Sequence, residues 1–303
     1  MHTFKHILHP TDFSDRADDT LAYALDLAVR EEAALEILHV VEDKKRYDAY
    51  TPFPGAEEES LRIRLKEKTN ERFSGLQRGD LDALQIQYTL VGAAHATPAI
   101  LEHLARHPKD LVVMGTHGRR GVSRLLLGSV TEVIIREAPC PVFTFRHRVE
   151  EKPVEVTQIL APIDFSEPSA EALAYARHLA ALYDATLTLL FVAEEHIVSH
   201  FTDTGIPTFT VLKMEGEMIQ RAALALRQLN ERTAGPACQA RYEVRSGSAA
   251  HTILDYAKEH GMDLIVMATR GLAGAAGLMG SVTNHVVRAA SCPVFTLKDT
   301  DVE

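Results

Sequence analysis

Glycines at 115, 118, 121 and 128 fall within MGTHGRRGVSRLLLGSVTE, residues 114–132. His117, Arg119, Arg120 and Arg124 stand among them, and Ser129 and Thr131 follow. Such a mixture suits an anion. Glycine lets backbone N–H groups come close to a ligand. A helix opening at Gly128-Ser129 would add unpaired amides and partial positive charge. The hydroxyls at 129 and 131 can donate to phosphate oxygens. Together these residues could cradle a triphosphate. The same residues have a simpler use: Ser129-Val-Thr-Glu132 is a capping-box pattern, in which Ser129 caps its own helix. The stretch alone supports both, and the two can coexist.

The elements around the stretch recur. HILHPTDFSDRADDTLAYA (6–24) lies over QILAPIDFSEPSAEALAYA (158–176), with ten of nineteen positions identical. SVTEVIIREAPCPVFTF (129–145) lies over SVTNHVVRAASCPVFTL (281–297), with ten of seventeen identical. Both overlays use a shift of 152, whereas DLVVMGTHG (110–118) meets DLIVMATRG (263–271) at 153. The second copy has therefore lost one residue between Gly118 and Gly128. Two domains are expected, 1–148 and 157–303, joined by the charged linker RHRVEEKPVEV. In the first copy, strands are expected at 4–9, 35–41, 84–91, 111–114 and 141–145. Helices are expected at 15–30, 57–76, 98–107 and 129–137, from apolar spacing. Strands alternating with helices imply an α/β fold: two tandem doubly wound parallel five-stranded sheets, Rossmann-like, in strand order 3-2-1-4-5. Ligands of such sheets bind beyond the strand carboxyl ends, where Asp12, Val41 and Gly115 fall.

Composition bounds the function. Among 303 residues the net charge is −10, with 46% apolar and 24% charged residues. That opposes nucleic-acid binding and a polybasic membrane anchor. No apolar run reaches the ~20 residues of a membrane helix. The N-terminus shows no signal-peptide core, so a cytoplasmic protein is expected. The three cysteines form no Cys-x-x-Cys pair, and Cys140 and Cys292 read as buried residues just before a strand. There is no P-loop, no Gly-x-Gly-x-x-Gly and no Gly-x-Ser-x-Gly. Nothing nominates a nucleophile with its base. His196-x3-His200 places two imidazoles on one helix face, without the metalloprotease Glu, and reads as surface histidines. Tyr47, Tyr50 and Phe53, with Pro52 and Pro54, read as a lid or an inter-domain face, with 201–209 as their counterpart.

Gly-x2-Gly-x9-Gly-Ser, filled by Gly115, Gly118, Gly128 and Ser129, resembles the ATP-binding signature of the universal stress protein family. Pro10-Thr11-Asp12-Phe13-Ser14, His39-Val40-Val41 and Ala138-Pro139-Cys140-Pro141-Val142 resemble it too, and the likeness covers the chain twice. The resemblance implies ATP in the first half. Asp12 would lie by adenine and ribose, with Pro10 and Thr11 shaping that wall and Val41 meeting adenine through its backbone. Met114, Gly115, His117, Gly118 and Arg119 would line ribose and phosphates. Gly128, Ser129, Val130 and Thr131 would hold the phosphate end, with Mg²⁺ accompanying the triphosphate. In the second half Asp164, Gly271, Gly280, Ser281, Val282 and Thr283 remain. There Ala268 replaces the first glycine, Arg270 replaces the histidine, and the spacing is one residue short. Weak nucleotide binding, or none, is expected in that half. The implied function is a nucleotide-dependent stress-response or signalling module. The rivals are a slow ATPase or autophosphorylating enzyme using Ser129 or Thr131, and a non-catalytic scaffold. Pairing of the two domains through their last strands is implied, as is a homodimer.

Overall fold

The computed structural model describes residues 3–53, 56–72, 84–116, 127–145, 154–194, 196–201, 207–212, 216–271 and 279–298. The first half runs β1 (His6–Thr11), α1 (Asp15–Glu31), β2 (Ala34–Glu42), β3 (Thr51–Pro52), α2 (Ala56–Arg72), β4 (Ile86–Ala93), α3 (Ala96–Arg106), β5 (Leu111–Gly115), α4 (Ser129–Glu137) and β6 (Val142–Phe145). The second runs β7 (Gln158–Pro162), α5 (Glu167–Tyr183), β8 (Thr186–Ala193), β9 (His196–Phe201), β10 (Pro207–Leu212), α6 (Gly216–Arg232), β11 (Ala240–Ser246), α7 (Ala249–Glu259), β12 (Leu264–Ala268), α8 (Ser281–Ala289) and β13 (Val294–Leu297).

Eleven strands form one sheet, in the order β11-β8-β7-β12-β13-β6-β5-β1-β2-β4-β3. Leaving out the two-residue β3, each half keeps the order 3-2-1-4-5. The strands are short and apolar because both faces are covered. Ile7 and Leu8 illustrate the alternation: both are fully buried, and they belong to opposite cores. One core packs under α1, α2, α5 and α6, through Leu21, Leu65, Leu179 and Leu226. The other packs under α3, α4, α7 and α8, through Ile100, Ile134, Ile253 and Val286.

The two five-stranded sheets are continuous with each other. The antiparallel partners β6 and β13 join the halves, with Phe295 opposite Phe143. Thr144 Oγ1 donates to Val294 O and Thr296 Oγ1 to Val142 O, each at 3.1 Å. Phe4 packs its ring 6.0 Å from Phe295 and 6.1 Å from Tyr175. Tyr183 donates to Asp26 at 2.7 Å, and the buried Glu31 carboxylate meets His178. Exposed edges invite foreign pairing, and this junction covers two of them.

Three local expectations change. Strand β1 continues through Pro10 to Thr11. The β1–β5 ladder has already stopped at Leu8, so the missing Pro10 N–H breaks no β1–β5 bond. The segment 196–201 is a strand, not a helix, paired antiparallel with β10. Beyond β2, Tyr47 and Phe53 are buried and Tyr50 donates to or accepts from His103 Nδ1 at 2.9 Å. This aromatic group packs onto β4 and α3 at the outer edge of the sheet, far from the β6–β13 junction; Pro54 lies outside the described residues.

Candidate functional site

The site begins with the end of β1. β1 follows β2 as far as Thr11↔His39 but leaves β5 after Leu8↔Val112. β7 likewise leaves β12 after Leu160↔Ile265. The parting of strands one and four opens a crevice at the carboxyl edge, where the sheet changes winding direction. His9 Nδ1 lies 2.8 Å from Val113 O and bridges the first gap.

Asp-Phe-Ser shapes one wall in both halves. Asp12 Oδ1 accepts from the Ser14 amide at 3.0 Å and from its hydroxyl at 2.6 Å. Ser14 in turn caps α1 by accepting from Ala17 N. Asp164, Ser166 and Ser169 repeat the arrangement. The phenylalanine between is held at φ +63° in each copy. A bulky residue there is strained, and such strain persists only where surrounding bonds enforce it. Val41 lies two residues beyond His39, where β1 has ended and only β4 still pairs with β2.

The opposite wall is the end of β5 and the start of α4. Gly128 is the N-cap, and no side chain caps the helix. The capping-box reading of Ser129 therefore fails: Ser129 is exposed in the first turn. Two further roles need correction. Thr131 is buried, and its hydroxyl donates to Gly115 O at 2.8 Å, so its proton is spent on the frame rather than on a phosphate. The Gly128 amide donates to Thr116 O at 2.8 Å, and the first intrahelical bond runs from Glu132 N to Gly128 O. The amides of Ser129, Val130 and Thr131 remain as the helix's N-terminal donors, which have no carbonyl within the helix. The Met114 side chain is buried in the α3–α4 core. His117, Gly118 and Arg119, with Arg120 and Arg124, lie outside the described residues.

In the second half, the crevice is a cleft of about 370 Å³. Asp164, Gly271, Gly280, Ser281, Val282 and Thr283 all line it. Asp164 lies so close over Gly271 that a Cβ there would sit 2.1 Å from Oδ2. The loop base repeats the first half: Gly280 N donates to Thr269 O at 2.8 Å and Thr283 Oγ1 to Ala268 O at 2.9 Å. The one-residue deletion leaves this base unchanged. The Ala268 methyl is accommodated in the wall, where Ala268 packs with Ala172 and Leu297.

Sequence reasoning missed several lining residues, among them Ser169, Phe191 and Glu194. Glu194 aligns with Glu42, whose Oε1 accepts from the Ala96 amide at the start of α3, 2.8 Å away. An acid directly after strand two in both copies was the available signal. The cysteines do not belong to the site. Burial pushes the thiols of Cys140 and Cys292 up to about 12, so both stay protonated and inert. Among the described residues, no helix is long and apolar enough to cross a membrane.

The family model described as "Universal stress protein family" matches residues 3–146 and again 155–298. Universal stress protein YxiE of Bacillus subtilis (strain 168) is 35% identical over 145 residues, which cover 46% of this chain and 98% of that protein. Universal stress protein MJ0531 of Methanocaldococcus jannaschii is 29% identical over 153 residues, covering 49% of this chain and 85% of its own. Each of these relatives corresponds in length to about one half of the chain. The crystal structure of a universal stress protein from Archaeoglobus fulgidus DSM 4304 covers 98% of this chain and 97% of its own, with a TM-score of 0.66 at 20% identity, a likeness of fold. Two family matches, on two halves that share one strand order and one crevice geometry, place this chain in the universal stress protein family as a tandem of two family domains.

Proposed function

We propose that the first half binds ATP and that the bound nucleotide sets the conformation or partner choice of a cytoplasmic stress-response module. One observation carries the reading: α4 begins beside the parted end of β5 with no side-chain cap, so the amides of Ser129, Val130 and Thr131 are available to a phosphate. Pro10, Thr11 and Asp12 supply the facing wall, and Val41 offers backbone beyond the end of β1. The loop sequence adds His117, Arg119, Arg120 and Arg124 against phosphate charge. A Mg²⁺ ion would arrive with the triphosphate, coordinated by its oxygens. ATP is bound rather than turned over in this reading; Thr131 has committed its hydroxyl to Gly115, which leaves Ser129 as the hydroxyl on which the rival autophosphorylating reading depends.

The test is to denature freshly purified protein and count the released nucleotides by chromatography with mass detection. About one ATP per chain, lost in Gly118→Leu, is expected. No ATP, and none bound on adding ATP with Mg²⁺, would return the loop to a structural role.

The β6–β13 pairing supports a second element of the proposal. The halves act as one body in solution, and the edges at β6 and β13 are already used within the chain. A homodimer would have to form through another surface.

A further inference from the structure

The second copy carries two imidazoles that the first lacks. His251 stands in the first turn of α7 and His285 in the second turn of α8. Pro98 and Val133 hold the matching positions of the first copy. Ile253 of α7 and Val286 of α8 are buried in one core, which fixes the two helices side by side. That packing leaves His251 and His285 exposed and brings their rings together, with centroids 5.0 Å apart and planes at 59°. Both lie outside the lining of the second cleft.

Two close imidazoles have two readings. Paired surface rings make a weak contact, and they repel each other when both are protonated. Shared ligation of a metal ion asks for a more particular geometry. Zinc binds an imidazole nitrogen at about 2.0–2.1 Å, so each ring centroid falls about 3.2 Å from the ion and two tetrahedrally placed rings lie about 5.2 Å from each other. The observed separation and tilt fit that arrangement. Flush stacking is different: Tyr256 and His260 stack at 4.0 Å and 13°.

A neighbour orients one of the rings. Ser248 is the N-cap of α7, yet its side chain caps no amide. Its Oγ lies 3.2 Å from His251 Nδ1 instead. Donation from Nδ1–H to that hydroxyl leaves the lone pair on Nε2, the arrangement of a metal-binding histidine held by an outer partner. The pair His103 and His107 shows the contrast. Its rings are 4.7 Å apart, but His103 is 1% exposed and is held between Tyr50 and Glu36. Imidazole suits zinc and its late first-row neighbours, whereas Mg²⁺ and Ca²⁺ take oxygen. Among the described residues no third His, Cys, Asp or Glu completes a metal-holding group with the pair, so water would fill the remaining positions.

We propose that His251 and His285 form a surface site for a divalent transition-metal ion of the zinc type, which clips α7 to α8. The inference does not rest on ATP binding in the first half. The test is isothermal titration of the full chain with Zn²⁺ in excess Mg²⁺, which occupies nucleotide and other oxygen sites. One saturable site of micromolar affinity is expected. His251→Gln and His285→Gln should each weaken it at least about tenfold, because either change removes one of two nitrogen ligands. Both side chains are exposed, so both variants should fold, and circular dichroism checks that they do. His260→Gln, at an exposed histidine just beyond the end of α7, should bind zinc as the wild type does. Zinc binding unchanged in either His251→Gln or His285→Gln would overturn the proposal. So would an equal loss in His260→Gln, or a wild type with no saturable site.

Discussion

Replacing Glu36 with glutamine should remove a defined share of acid-sensitive stability. Glu36 lies near the start of β2 and is 5% exposed. Lys109 Nζ is 2.6 Å from its Oε2, His103 Nε2 is 3.1 Å from Oε1, and the Thr89 hydroxyl donates to Oε1 at 2.5 Å. Burial alone would raise this carboxyl. The His103, Lys109 and Thr89 contacts outweigh burial and lower it from 4.5 to about 2. A carboxyl lowered on folding stabilises the protein above its unfolded value and loses that effect as pH falls toward the folded one. From the two values, the contribution is about 3 kcal/mol at pH 6 and about 1 kcal/mol at pH 3. Wild type should therefore lose about 2 kcal/mol through this group between those conditions. Glu36→Gln should be less stable by about 3 kcal/mol at pH 6, and the gap should narrow by about 2 kcal/mol at pH 3. Urea unfolding at both pH values, followed by circular dichroism, measures this. A constant gap from pH 3 to 6 would refute the reasoning. The site has a stake in the outcome, because Glu36 ties β2, which carries Val41, to Lys109 at the approach to β5.

Three further outcomes are expected. Thr131→Val removes the bond to Gly115 O at nearly constant shape and should lower stability by about 1 kcal/mol and weaken ATP retention, whereas Thr131→Ser should restore both; thermal melts with nucleotide counting decide it. A Cβ at Gly92 would meet the Tyr47 ring at 2.5 Å, so Gly92→Ala should cost about 1–3 kcal/mol by overpacking, and an unshifted urea midpoint would show that the ring yields freely. A thiol reagent at pH 8 should modify Cys238 in the folded protein and reach Cys140 and Cys292 only after denaturant is added; mass spectrometry locates the label.

Much of this protein was legible because the relevant interactions are short in sequence. The repeat shows in matched segments. Strand and helix periods follow from which residues must be apolar on a covered sheet. The Asp-Phe-Ser turn is closed by bonds spanning two or three residues, from Asp12 to Ser14 and from Ser14 to Ala17. The glycine stretch could be read as an anion cradle from its composition alone. Whether Ser129 caps its own helix could not be, because that rests on Gly128 taking the N-cap position. The β9–β10 pairing was hidden because HIVSH satisfies both a helical and a strand spacing, and partner strand β10 decides between them.

Tertiary structure also settled what two similar copies become. The sequence determined that the chain holds two related α/β domains, with a glycine- and arginine-rich loop in the first. That they share one sheet was implied only by the family resemblance and by no local pattern, since an edge strand is marked only by the partner it finds, here β13 against β6. The sequence did not show that Glu36, Lys109 and His103 meet in the interior, or that Phe191 and Arg270 face one cleft beside Asp164. Those contacts join residues far apart along the chain. Their energies exist only once the sheet brings the segments together, so no local pattern records them.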